Sequence, residues 1–298
     1  MRLYTLLLLI LLNVFTSYAN DGAYTGSGNH LIPITENEIS VKKEILTISL
    51  VDGKAKVDVY YEMFNPGKEK TVMVGFEAPS PGGDVKNELK NDGHPYLSDF
   101  TVKVNDQITA YNINYFIKSD SENERSMNVR DFKQYIASNY DTPYTLSYVF
   151  SATFKKGINI IKHTYDYELS SNTALSFSFD YILTAANRWA NKGIDDFTLN
   201  INTGTEQYMA ITPTFFSKTT GWNINGKGMM AYGPKPNAES TKEKALWFFV
   251  EDGFIQFKKK NFHPKAELEF SKPSDNSEEV NIMKWVDKQL SLMKKKSK

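Results

Sequence analysis

Four histidines, His30, His94, His163 and His263, lie far apart in the chain, and none has a second histidine or a carboxylate at a metal-motif spacing. His163 sits in Ile161-Lys162-His163-Thr164-Tyr165, whose alternation reads as strand, and it is expected to be a sheet histidine satisfied by a neighbour. The chain has no cysteine, which removes thiolate metal sites, thiol nucleophiles and disulfides together. Gly26-Ser27-Gly28 lacks the spacing of a nucleophile elbow and reads as a leader into the domain. A Walker loop and a dinucleotide fingerprint are absent, so phosphate-dependent chemistry is disfavoured. No catalytic, cofactor-binding or metal-binding residue is assigned, and no cofactor is expected.

Carboxylates are plentiful, and a glycosidase needs only two of them about 5 to 9 Å apart across a cleft. Asp195-Asp196 and Glu251-Asp252 are adjacent in sequence, however, and neighbours on a strand point to opposite faces. The run Asp120-Ser121-Glu122-Asn123-Glu124 lacks the glycine and distal glutamate of a calcium loop and reads as solvated. Aromatic platforms remain. Tyr60, Tyr111, Tyr115, Trp189 and Trp222 could stack on a sugar or peptide, although in a chain with 17 Tyr and 19 Phe the plainer reading is core and cross-strand pairing.

The elements that position these side chains are strands. From Lys54 to Phe64, Ala55, Val57, Val59, Tyr61 and Met63 fall on one face, while Lys54, Lys56, Asp58, Tyr60 and Glu62 fall on the other. Ile45, Leu46, Ile48 and Leu50 lead into Asp52-Gly53, a hairpin dipeptide, so these two strands should pair. Asn65-Pro66-Gly67 makes the next turn, and Val72, Val74, Phe76 and Ala78 alternate until Pro79-Ser80-Pro81-Gly82-Gly83. The expectation is a three-stranded meander. Further strands are expected at 100–104, 108–117, 146–154, 158–169, 177–183, 197–201 and 266–270, with a short helix around Val129, Phe132, Tyr135 and Ile136. Weaker strands at 208–211 and 222–224 precede turns at Asn225-Gly226 and Gly228. A hairpin is expected from Leu246–Val250 to Phe254–Phe257 across Glu251-Asp252-Gly253. Beyond Pro273, Ser274 or Asp275 can cap a helix with Ile282, Trp285, Val286, Gln289, Leu290 and Met293 at helical spacing, ending in Lys294-Lys295-Lys296. It is expected to dock on its own sheet, with a partner-binding or membrane-surface helix as the alternative.

Arg2, the apolar run Leu6–Leu12 and the ending Ser17-Tyr18-Ala19 form the layout of a secretory signal peptide with cleavage after Ala19. The run is too short to anchor the chain in a bilayer. No Asn-x-Ser/Thr acceptor occurs, which with the missing cysteines favours a bacterial periplasm or exterior. Without the leader the chain has 34 basic against 35 acidic residues, and both signs are interspersed. Nucleic acid is not an expected partner.

Several strings resemble a family of uncharacterised exported bacterial proteins, the domain of unknown function found beside the YARHG domain. They are Asn20-Asp21-Gly22-Ala23, Leu31 to Glu36, Ile39 to Glu44, Tyr61 to Gly67, Gly75 to Pro79, Asp180 to Thr184, Trp189-Ala190-Asn191 and Ile194 to Leu199. The resemblance spans most of the mature chain, and it implies export and β structure without an assigned activity. No Tyr-Ala-Arg-His-Gly string occurs near the C-terminus.

The expected fold is all-β: two sandwich-like antiparallel domains, residues 20–118 and 119–272, after a signal peptide at 1–19 and before a C-terminal helix at 273–298, with a single large sandwich as the alternative. The expected function is a non-catalytic envelope or secreted binding module for an envelope protein or glycan. The opposing expectations are a glycan or peptide hydrolase with carboxylates assembled by the fold, and an assembly subunit using an edge strand.

Overall fold

The computed structural model describes residues 30–33, 38–80, 88–118, 124–139, 142–238, 240, 242–274 and 280–296. The leader, Pro81-Gly82-Gly83, the acidic residues 120–123 and the cap residue Asp275 lie outside the described residues. In chain order the strands are β1 (His30–Pro33), β2 (Ser40–Val51), β3 (Lys54–Asn65), β4 (Lys70–Pro79), β5 (Leu97–Val104), β6 (Gln107–Ile108), β7 (Tyr111–Lys118) and β8 (Glu124–Met127). Helix α1 (Val129–Ser138) precedes β9 (Tyr144–Phe154), β10 (Gly157–Glu168) and β11 (Leu175–Tyr181). After a 3-10 turn at Thr184–Arg188 come β12 (Ile194–Asn202), β13 (Gln207–Ile211), β14 (Trp222–Pro234), β15 (Lys244–Phe262), β16 (Leu268–Pro273) and helix α2 (Val280–Lys296). No helix among the described residues is long and apolar enough to cross a membrane.

The protein is mostly β, as expected, and its strands form two sheets. One has the order β1-β4-β9-β7-β8; the other runs β11-β16-β13-β15-β12-β2-β3-β10-β5-β6, with β14 added on β15. The Asp52-Gly53 hairpin forms as its sequence requires, with φ of 52° and 74°, and joins β2 to β3 in antiparallel register. The face of β3 that buries is the one read from the alternation: Ala55, Val57, Val59, Tyr61 and Met63.

The meander does not continue. At Asn65-Pro66-Gly67 the chain leaves the large sheet, and β4 pairs with β1 and β9 in the other one. The free edge of β3 is taken along its full length by β10. Asn65 is wholly buried and holds the corner, donating to Lys68 O at 2.8 Å and to Phe154 O at 3.0 Å. The chain returns to the large sheet between β4 and β5, leaves it again between β6 and β7, and returns between β9 and β10. A turn residue fixes where a strand stops; which sheet the next strand joins depends on partners far along the chain.

Those switches lace the expected halves together. β3 pairs β10 and β4 pairs β9, so the described strands do not segregate on either side of residue 118. Among the described strands pairing is antiparallel except for β12 with β2, which run parallel, a departure from the all-antiparallel expectation. One core cluster joins both sheets. Phe76 of the small sheet packs on Phe100 and Tyr165 of the large one at centroid distances of 5.0 and 5.1 Å, the offset and tilted geometry that aromatic pairs favour.

The expected hairpin at 251–253 is instead the middle of one 19-residue strand, β15. Gly253 lies directly opposite Gly226 of β14. A Cβ on Gly226 would come 2.2 Å from Asp252 O, and one on Gly253 would come 2.0 Å from Asn225 O. The two glycines therefore let two backbones approach and bend together at the adjacent bulge, rather than reversing the chain. The turns expected at Asn225-Gly226 and Gly228 are likewise absorbed into β14. The N-terminal half of β15 is apolar throughout because both faces are covered. Leu246, Phe248 and Val250 face the main core, while Ala245, Trp247 and Phe249 face α2, where Ile282, Val286 and Trp285 pack on them.

Candidate functional site

Beyond β15 the large sheet curls back, bringing β11 over β2 and β3, so that the Tyr181 and Tyr61 hydroxyls lie 3.4 Å apart. At one end of this curl the β2–β3 turn, the β10–β11 loop, the start of β11, the β12–β13 loop, β13 and β16 surround an open cleft of about 380 Å³. Ligand clefts run from about 300 to 1,000 Å³ and combine apolar walls with a few convergent polar groups. Leu50, Leu169 and Phe177 supply apolar wall, and Ser171, Ser176, Thr203 and Gln207 supply neutral donors and acceptors. Lys272 Nζ lies 4.7 Å over the ring centre of Tyr208 and donates to Gln207 Oε1 at 3.1 Å. Asp52, held at the rim by its left-handed backbone, completes the lining.

A second polar cluster is sealed inside the curl. The bulge between Val41 and Lys43 resets the alternation of β2, so Glu44 points inward and is only 3 % exposed. Its carboxyl accepts a long hydrogen bond from Tyr181 at 3.5 Å. Burial pushes its pKa up to about 8, against smaller lowering by its bonds with Tyr181 and Tyr61; at pH 7 this group carries its proton. Nearby, His163 is wholly buried among Tyr61, Phe76, Phe100 and Tyr165, and neither ring nitrogen has a hydrogen-bond partner. That corrects the expectation of a satisfied sheet histidine: inward alternation on β10 puts the ring among carbons. Burial drives its pKa down to about 3, leaving it neutral. His94 is also buried but bonded, with Nε2 on Pro79 O at 2.9 Å and Nδ1 accepting from Tyr96 N at 3.2 Å. These groups are closed off from solvent.

The aromatic candidates do not converge. Tyr115, Trp189 and Trp222 are 6 %, 3 % and 6 % exposed, so their faces are spent on packing. Tyr115 donates to Asp92 O at 2.7 Å, and Trp222 lies among Phe215, Phe216, Phe248 and Phe257. Tyr111 keeps one side open on a smaller cleft of about 180 Å³. Tyr60 stands on the outer face of the large sheet, with Lys162 Nζ 5.8 Å from its ring centre. None of the five lines the 380 Å³ cleft. Residues such as Phe177, Gln207, Tyr208 and Lys272 were not singled out from sequence because they come from segments up to about a hundred residues apart. The local hints were Tyr208 and Phe177, each opening an expected strand.

The acidic pairs behave as the strand geometry requires. Asp195 pairs with Lys42 at 2.7 Å and Asp196 with Lys260 at 2.6 Å. The ladders do set Asp180 of β11 opposite Glu269 of β16. Burial, then the Glu269 charge, raises Asp180 to about 6 against the lowering effect of Lys235, but neither carboxylate lines the cleft. No group of three or more metal-ligating side chains occurs among the described residues.

The fold and cleft together define a β-sandwich protein with one curled sheet and an open, mixed-polarity pocket at its end. No family model matches the chain, and no curated protein does. Among solved structures the fold resembles that of a Legionella pneumophila protein described as a putative nutrient binding protein, with a TM-score of 0.54 and 18 % identity over 85 % of this chain and 72 % of that one. Baculovirus P35 overlaps 79 % of this chain and 97 % of its own at 12 % identity, but its TM-score of 0.24 carries no argument.

Proposed function

We propose that this chain is a non-catalytic bacterial binding protein, exported by a leader cleaved after Ala19, that holds a small polar solute in the cleft between the β2–β3 turn and β13–β16. The observation that carries the reading is the cleft itself, where four neutral polar side chains, an ammonium and an aromatic ring meet at the end of a curled sheet. The neighbour's description as a nutrient binding protein supports a solute-holding role, and the strings shared with an exported family without assigned activity are consistent with it. The hydrolase reading gains less support, because the opposed carboxylates Asp180 and Glu269 stand outside the cleft. The assembly reading would use β14, which pairs only with β15 among the described strands. That edge carries Lys227 and a bulge, features that discourage strand addition.

The test is thermal unfolding of the protein with a panel of sugars, amino acids and nucleosides. At least one solute should raise the Tm, and Gln207→Ala should remove that rise while leaving the ligand-free Tm within about 2 °C, since surface substitutions stay within about 0.5 kcal/mol. A stabilising solute that is indifferent to Gln207→Ala but lost in Tyr111→Ala would move the site to the smaller cleft.

A further inference from the structure

Resting on the reading of the cleft as the binding site, we infer that its ligand is a zwitterion of the free α-amino acid type, carboxylate toward Lys272 and ammonium toward Asp52. Both charged side chains line the same cleft. They do not form an ion pair with each other, and neither is paired with any other charged side chain among the described residues; the contacts of Lys272 are the neutral Gln207 and the Tyr208 ring. Several charges elsewhere on the sheet surface are neutralised in pairs, as in Lys42–Asp195, Lys43–Glu62, Lys56–Asp166, Lys162–Asp106 and Lys260–Asp196.

The placement of these two groups adds to the argument. Lys272 is half-buried and its ammonium is held by Gln207 Oε1 and the Tyr208 ring, so it is aimed rather than free to wander, and part of the ordering entropy is lost before a ligand arrives. Asp52 is fixed by a turn that only a short polar residue or glycine tolerates at a φ of 52°. A single anion would leave Asp52 as an unanswered like charge, and a single cation would be repelled by Lys272. A neutral sugar would leave both charges without partners. An amino acid answers both, and its side chain can lie on Phe177 and Leu50.

The test is isothermal titration calorimetry of the protein at pH 7 with each of the twenty L-amino acids, with the N-acetyl and carboxamide forms of the tightest binder, and with glucose and maltose. A free amino acid should bind, and either cap should weaken it by about tenfold or more, the worth of one charge-assisted hydrogen bond. Asp52→Asn, which suits the same backbone, should abolish the penalty of N-acetylation while keeping that of amidation; Lys272→Gln should do the reverse. Amino acids that bind no better than their capped forms, or equally well to both variants, would overturn the inference. Glucose or maltose binding that is lost in Gln207→Ala would overturn it too but leave the cleft as the site. Heat from no probe at all would count against both readings.

Discussion

The polar interior around Glu44 and the cleft around Lys272 share strands β2 and β11, yet they treat charge in opposite ways. Inside, burial decides: the Glu44 carboxyl is raised to about 8 and the His163 imidazole lowered to about 3, so both are neutral at pH 7 and can be enclosed without a counter-ion. At the cleft mouth, an open rim lets Asp52 and Lys272 line the same space with no ion-pair partner among the described residues. On the proposed reading, the interior polar groups bear on the fold's stability and its pH response, whereas the pair at the cleft bears on binding. Substitutions should therefore separate cleanly into those that move unfolding and those that move affinity.

The largest expected effect is on the interior. Trp189→Ala, at a side chain 3 % exposed, should cost about 3 to 5 kcal/mol of stability, read as a lower denaturant midpoint. An unchanged midpoint would show that Trp189 reaches solvent and would return it to the list of ligand platforms.

The titrating groups come next. Glu44 has a folded pKa above its unfolded value, so the folded state holds the extra proton and stability falls as pH rises from about 4.5 towards 8. Between pH 5 and pH 7 the difference between Glu44→Gln and the parent should move in the variant's favour by on the order of 3 kcal/mol. His163 has the opposite sign: its folded pKa lies below the unfolded value, so stability falls as pH drops below about 6.5. His163→Leu should gain on the parent by on the order of 2 kcal/mol between pH 7 and pH 5. Urea melts across pH 4 to 9 check both, and parallel curves for parent and variant would show that the group is hydrated after all.

The smallest stability effects belong to the cleft. Asp52→Asn and Lys272→Gln should each change stability by less than about 0.5 kcal/mol while altering affinity. A loss of several kcal/mol from either would blur the distinction between the two regions.

Much of the fold was legible in local pattern and little of the site was. The buried face of β3, the Asp52-Gly53 hairpin and helix α1, whose Phe132 and Ile136 are buried, follow from period and turn chemistry alone. The docking of α2 was readable because Ala245 to Val250 is apolar on both faces, which asks for a cover on each side. Partner choice was not legible. Nothing within Lys70–Pro79 says that β4 must leave β3 for β9, and Gly253 reads as a reversal until Gly226 is found facing it. The inward turn of Glu44 depends on a one-residue bulge, which flips every later side chain to the other face. The cleft is assembled from turns and strand ends between residues 50 and 272, and only the closed fold places them together.

The most direct test of the central claim, that the end cleft and not the polar interior or the outer sheet face receives the ligand, is backbone amide NMR of the protein titrated with an equimolar mixture of L-amino acids. The account predicts saturable shifts at Asp52, Ser176, Gln207, Tyr208 and Lys272, with Glu44 and His163 unmoved. Shifts centred on Tyr60 or Tyr111 with the cleft residues silent would contradict it.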